Sequence, residues 1–112
     1  VRIFGHPTTR LLGVREGVDA DWGEVFATAK KYGVALEINA HPRRLDLPDA
    51  LVFEAVKNGN KFCIDTDSHE VAVMDYMRYG VSVARRGWAT KRDIVNTLGY
   101  NDFKKWLLRE DI

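Results

Sequence analysis

Short apolar runs alternate along this chain with longer amphipathic ones, and polar residues gather where each apolar run ends. VRIF (residues 1–4) reads as a first strand, followed by the loop GHPTTRLLGVREGVDAD. Asp21 is placed to cap a helix over about 22–32, in which Trp22, Val25, Phe26 and Ala29 fall at i, i+3, i+4 and i+7 and make one buried face. Gly33 ends it. VALEIN (34–39) is the second strand, with Val34, Leu36 and Ile38 on one face and Ala35, Glu37 and Asn39 on the other. Pro48 and Asp49 open a helix to about Lys57 whose inner stripe is Leu51, Val52, Ala55 and Val56, and Asn58-Gly59-Asn60 stops it. KFCID (61–65) is the third strand, a helix is expected from about Glu70 to Tyr79, and VSVA (81–84) reads as a fourth, shorter strand. The end reads as two short helices, TKRDIVNTL and NDFKKWLL, capped by Thr90 and Asn101, with Asp93 completing a capping box. Alternation of this kind is the pattern of βα units around a parallel sheet.

Composition narrows the picture without redirecting it. A chain of 112 residues with 46% apolar content suits one compact domain. Lys and Arg number 17 against 16 Asp and Glu, so a formal charge of +1 supplies no overall field for nucleic acid or membrane, and any such contact is local. Cys63 is the single cysteine, which excludes an internal disulfide and a cysteine-only zinc site and fits a reducing, cytoplasmic setting. No run approaches the ~18 apolar residues of a membrane span. Val1 already stands inside a strand-like run, so the expectation is a segment of something longer.

The chemistry lies at the strand ends. In a parallel βα architecture the C-terminal ends of the strands share one rim. His6 follows the first strand, Glu37 and Asn39 end the second, and Asp65, Asp67 and His69 end the third. Imidazole with carboxylate suits Zn, Mn or Fe, and a D-x-H spacing leaving a strand lets both side chains face one cavity. Each piece has an ordinary alternative. His6-Pro7 is equally a loop histidine bonded to backbone, Asp67 and His69 could cap the next helix, and Glu37 could be paired with a structural arginine. Cys63 reads as a small core residue between Phe62 and Ile64, and His41 as a solvated loop residue. Arg10, Arg43, Arg44 and Arg86 fall in expected loops, where a guanidinium holds phosphate bidentately or is simply solvated. Trp88 could stack on a base, but burial against the last helix with Phe103 and Trp106 is preferred.

Taken in order, GHPTTRLLGVREG, ALEINAHPRRLDL, CIDTDSHE and GVSVARRGWATKRDIVNTL resemble the PHP (polymerase and histidinol phosphatase) domain that ends bacterial and archaeal family X DNA polymerases, over about Arg2 to Leu108. The resemblance implies an α/β fold, the C-terminal portion (1–112) of a distorted, TIM-like βα barrel of seven strands, whose early H-x-H ligands and strands have no counterpart here, and with it an open sheet edge at Val1, where those strands would pair, that invites self-association. It implies up to three divalent metals, Mn2+ or Zn2+, at the C-terminal rim. His6, Asp67 and His69 are the expected ligands and catalytic residues, with Glu37, Asn39, Asp65 and Thr66 behind them. The implied activity is metal-dependent phosphoester hydrolysis, a 3′-5′ exonuclease or 3′-end processing function acting on DNA 3′ ends beside the polymerase domain of the parent chain. Two close metals would activate a water and neutralise phosphate charge. The alternatives are a phosphatase for a small monoester such as histidinol phosphate, and a PHP fragment that only braces a polymerase.

Overall fold

The computed structural model describes residues 1–109. Three parallel strands, β1 (Ile3–Phe4), β2 (Ala35–Asn39) and β3 (Phe62–Asp65), form one sheet in that order. The crossovers carry α1 (Trp22–Tyr32) between β1 and β2 and α2 (Asp49–Asn58) between β2 and β3. After β3 come a 3-10 segment, Val71–Tyr76, and then α3 (Met77–Arg86), two 3-10 turns at Lys91–Asp93 and Val95–Thr97, and α4 (Tyr100–Leu108). The architecture is mixed α/β, and the described residues do not close a barrel.

Local signals account for the first half. The Asp21 side chain accepts the Glu24 N–H at 3.1 Å and so satisfies one of the open donors at the start of α1. Gly33, at φ 65°, turns the chain out of α1 into β2. Gly59 does the same for α2 at φ 86°. Pairing of Leu36 with Phe62 and of Ile38 with Ile64 puts these four side chains on one face, where they meet Phe26 and Ala29 of α1, Val52 and Ala55 of α2, and Val83 and Ala84 of α3. The opposite face is divided. Its lower half, Ala35 and Cys63, is covered by Val95, Phe103 and Trp106, and its upper half carries Glu37, Asn39 and Asp65.

The second half departs from expectation in four places. Residues 81–84 are not a strand but the middle of α3. The inward positions are Gly80, Val83 and Ala84, continued by the capping Gly87, a helical spacing whose glycines carry no apolar signal. The expected helix over 70–79 is a 3-10 segment that gives way to α3 at Met77, with no buried residue before Gly80, and neither Asp67 nor His69 caps it. TKRDIVNTL forms two 3-10 turns, and the Thr90–Asp93 capping box is present on the first of them. α4 starts at Tyr100 with Gly99 in the capping position, so Asn101 lies inside the first turn.

The sheet ends on β3 in an unexpected way. Ile94 makes a single parallel bridge to Phe62. The Asn96 side chain then accepts the Ile64 N–H at 3.1 Å and donates to the Ile64 carbonyl at 2.7 Å. One amide thus does for Ile64 what a neighbouring strand would do, and blunts that edge.

Candidate functional site

The register fixes the site. Asn39 pairs with Asp65 and Glu37 with Cys63, so Glu37, Asn39, Cys63 and Asp65 share a face at the C-terminal end of the sheet. Asn39 is 1% exposed and is the hub. Its Nδ2 donates to Asp67 Oδ2 at 3.2 Å and lies 3.5 Å from Glu37 Oε1, while its Oδ1 accepts the His41 N–H at 3.0 Å. Glu37 Oε1 also accepts the backbone N–H of His6 at 2.6 Å. The ends of all three strands are thereby tied together. Among the described residues no arginine pairs with Glu37; it meets the His6 N–H, the Asn39 amide and the Asp65 carboxyl instead.

Asp65 stands next to Glu37. Burial, and then the Glu37 carboxyl that hydrogen-bonds it and repels its charge, push the Asp65 carboxyl from the ordinary range up to about 8. Its Oδ1 is buried with no hydrogen-bond partner among the described residues. Cys63, beneath this pair and buried, is pushed up to about 11 by desolvation first and by Asp65 and Glu37 second. It is a core thiol and not a nucleophile.

The three expected ligands occupy the exposed side of this network. His6 (φ 24°) and Asp67 (φ 50°) both hold left-handed backbone, a conformation that non-glycine residues adopt at some cost and that concentrates at functional sites. His69 Nδ1 lies 2.9 Å from the Asp67 carbonyl oxygen. A carbonyl only accepts, so Nδ1 carries the hydrogen, and Nε2 is the ring nitrogen left for a ligand. The Thr66 hydroxyl bonds that of Ser68 and not a rim carboxylate.

The arginines are deployed differently from one another. Arg10 donates to the carbonyls of Arg44 at 2.8 Å and Leu45 at 2.5 Å, and Arg44 lies 3.4 Å from the Arg10 carbonyl. Arg86 is not in a loop but is the last residue of α3, and it makes a 2.8 Å ion pair with Asp49. Arg43 is exposed on the same loop. Two residues matter beyond those the sequence offered. Asp46, fully buried, accepts the Thr8 N–H at 3.1 Å with its carboxylate and exchanges backbone bonds with Asn39. Its signal was a lone acid between leucines in RLDL. His41 is half-buried and not merely solvated: its Nδ1 accepts the Arg43 N–H at 3.2 Å and its ring meets Tyr76 edge-on. Trp88 is 74% exposed and packs on Phe53, contrary to the expected burial, whereas Phe103 and Trp106 do join the core.

Among the described residues no three His, Cys, Asp or Glu side chains gather closely enough to hold a metal ion. The donors present therefore do not by themselves make a complete metal centre. Among the described residues, too, no helix is long and apolar enough to cross a membrane.

No family model matches the chain. It is 38% identical over 111 residues to the DNA polymerase/3′-5′ exonuclease PolX of Bacillus subtilis (strain 168), an alignment covering 99% of this chain and 20% of that protein. The chain thus spans about a fifth of the length of the curated relative it matches.

Proposed function

We propose that the chain is the C-terminal portion of a PHP barrel in a family X DNA repair polymerase, and that its rim serves metal-dependent hydrolysis of phosphoesters at DNA 3′ ends. The observation that carries this reading is the 38% identity, along almost the entire chain, to a protein named as a polymerase and 3′-5′ exonuclease. His6, Asp67 and His69 would be this chain's ligands for Mn2+ or Zn2+, completed by donors beyond the described residues. When bound, such ions supply an activated water and charge neutralisation.

The chain's own residues prepare that site. Asn39 holds the Asp67 carboxylate in one orientation, the Asp67 carbonyl fixes the His69 ring with Nε2 outward, and Glu37 anchors the backbone of His6. Groups that position a ligand from behind govern its orientation and basicity. The cationic loops after the strands would receive the DNA, and the polymerase part of the parent protein would present its 3′ end.

The test is Mn2+-dependent degradation of a 5′-labelled oligonucleotide by the full-length protein, with Asp67→Ala and His69→Ala alongside. Both variants lose nuclease activity and keep polymerase activity. Nuclease activity retained in both would sink the assignment. A substrate panel separates the alternative, because hydrolysis of small monoesters alone would mark a phosphatase.

A further inference from the structure

Beside the rim lies a row of aromatic side chains that the reading above leaves without work. The His41 ring meets the Tyr76 ring at 5.4 Å and 78°, and Tyr76 in turn lies 5.7 Å from Tyr79 at 38°. The row is joined to the site at two points. The His41 N–H is held by Asn39 Oδ1, the same amide that holds Asp67. Tyr76 ends the 3-10 segment that begins two residues after His69.

This row is not core. No residue of Val71–Tyr76 is buried, and Tyr79 is 37% exposed. Three rings gathered near the surface, tilted to one another and not coplanar, offer separate π-faces and edges to a flat, polarisable ligand. The charge around them is chosen to match. The Arg78 guanidinium carbon lies 5.1 Å from the centre of the Tyr79 ring, and its Nη2 is 3.3 Å from the Tyr79 hydroxyl. The Arg78 side chain is 67% exposed, and its contact with Asp75, at 3.9 Å, is loose. An arginine so placed can stack with a base on the tyrosine or swing to a phosphate at little cost. Arg43, exposed on the His41 loop, adds a second cation.

We infer that His41, Tyr76 and Tyr79, with Arg78, form a stacking platform for an unpaired base of single-stranded DNA next to the His6–Asp67–His69 rim. This rests on the proposed DNA substrate and specifies how the strand is held. Stacking on aromatic rings is tolerant of sequence, because every base has a π-face, and arginine beside the rings tracks the backbone. The platform therefore grips a frayed end without selecting its sequence.

The experiment is equilibrium binding of the 112-residue chain, in EDTA so that nothing is cleaved, to a fluorescein-labelled thymidine oligomer and to an abasic oligomer of equal length and charge. The thymidine oligomer binds more tightly by about 5- to 150-fold. Tyr79→Ala brings it down to the abasic level with unchanged circular dichroism, while Tyr79→Phe and Tyr79→Trp keep the preference. Equal binding of the two oligomers by the wild-type chain, or a preference that survives Tyr79→Ala, overturns the platform. The two readings fail separately. Nuclease activity that depends on His69 alongside binding indifferent to Tyr79 removes only the platform. Tyr79-dependent binding without any His69-dependent cleavage in the full-length protein leaves the platform and removes the hydrolytic reading.

Discussion

Gly80→Ala is a substitution whose sign local propensity gets wrong. Gly80 lies within α3, where alanine is favoured over glycine by about 1 kcal/mol in a helix interior. The helix crosses the sheet at this residue. A Cβ there would stand 2.6 Å from Ile64 Cγ2 and 2.8 Å from Ala40 Cβ, closer than real Cβ contacts come. Neither neighbour can yield easily. Ala40 has no rotamer to change, and Ile64 is held through its backbone by Asn96 and packed in the core. Overfilling a packed site costs about 1–3 kcal/mol. With neither neighbour free to yield, the collision falls in the upper half of that range, about 2–3 kcal/mol, and outweighs the propensity gain by about 1–2 kcal/mol, or about 4–16 °C in Tm. Gly23→Ala in α1 provides the contrast, since its nearest contact is an ordinary 3.5 Å to Asp21 Oδ1 and the residue is exposed; it gains up to about 1 kcal/mol. Urea unfolding of the three proteins, with parallel thermal melts, measures both. If Gly80→Ala were as stable as the wild type, α3 would not approach the sheet as closely as described, and the packing argument would fail.

Two further outcomes follow from the polar groups. Asp65 binds its proton more tightly folded than unfolded, so without metal its contribution to stability is full below about pH 4 and is lost as the pH rises toward about 8. Carried over in full the shift would be worth about 6 kcal/mol, which partial solvent access and sharing with Glu37 reduce to about 1–2 kcal/mol. Asp65→Asn therefore flattens the decline in stability between pH 5 and 8, as urea titrations in EDTA would read; an unchanged slope would contradict it. Asn96→Asp keeps an acceptor for the Ile64 N–H but sets an oxygen against the Ile64 carbonyl, at a cost of about 1–2 kcal/mol at neutral pH. A variant indistinguishable from wild type in the same unfolding assay would show that Asn96 does not serve as an edge partner.

How much of the fold was legible depends on where its information resides. α1 and α2 carry their inner stripes in leucine, valine, phenylalanine and alanine, and their ends in Asp21, Pro48, Gly33 and Gly59, so spacing alone finds them. α3 hides because half of its inward face is glycine. A Cβ on Gly87 would reach within 2.4 Å of Val52 Cγ1, just as one on Gly80 would strike the sheet. Close packing thus selects the residue that a pattern reading takes for a break, and Val-Ser-Val-Ala is left to alternate like a strand. The Asn96 bonds to Ile64 span 32 residues, and no local spacing announces them.

The site divides along the same line. Polar residues in apolar strands pointed to Glu37, Asn39 and Asp65, but that Asn39 would join Asp67 to His41, and that Asp65 would press on Glu37, follows from the register of β2 against β3. The arginines show how residue type alone misleads. A guanidinium after a strand suggests phosphate, yet Arg10 spends two donors on the carbonyls of residues 44 and 45, and Asp46 takes the Thr8 N–H with both carboxylate oxygens. Together they fasten the loop after β1 to the loop after β2. That fastening sets the position of His6 relative to Asn39, since His6 precedes Thr8 by two residues and Asn39 exchanges backbone bonds with Asp46. A rim that must hold its groups within a fraction of an ångström relies on such bracing as much as on the groups themselves. Under the proposed function Arg10 and Asp46 would therefore be positioning residues, setting where His6 stands without touching what the rim binds.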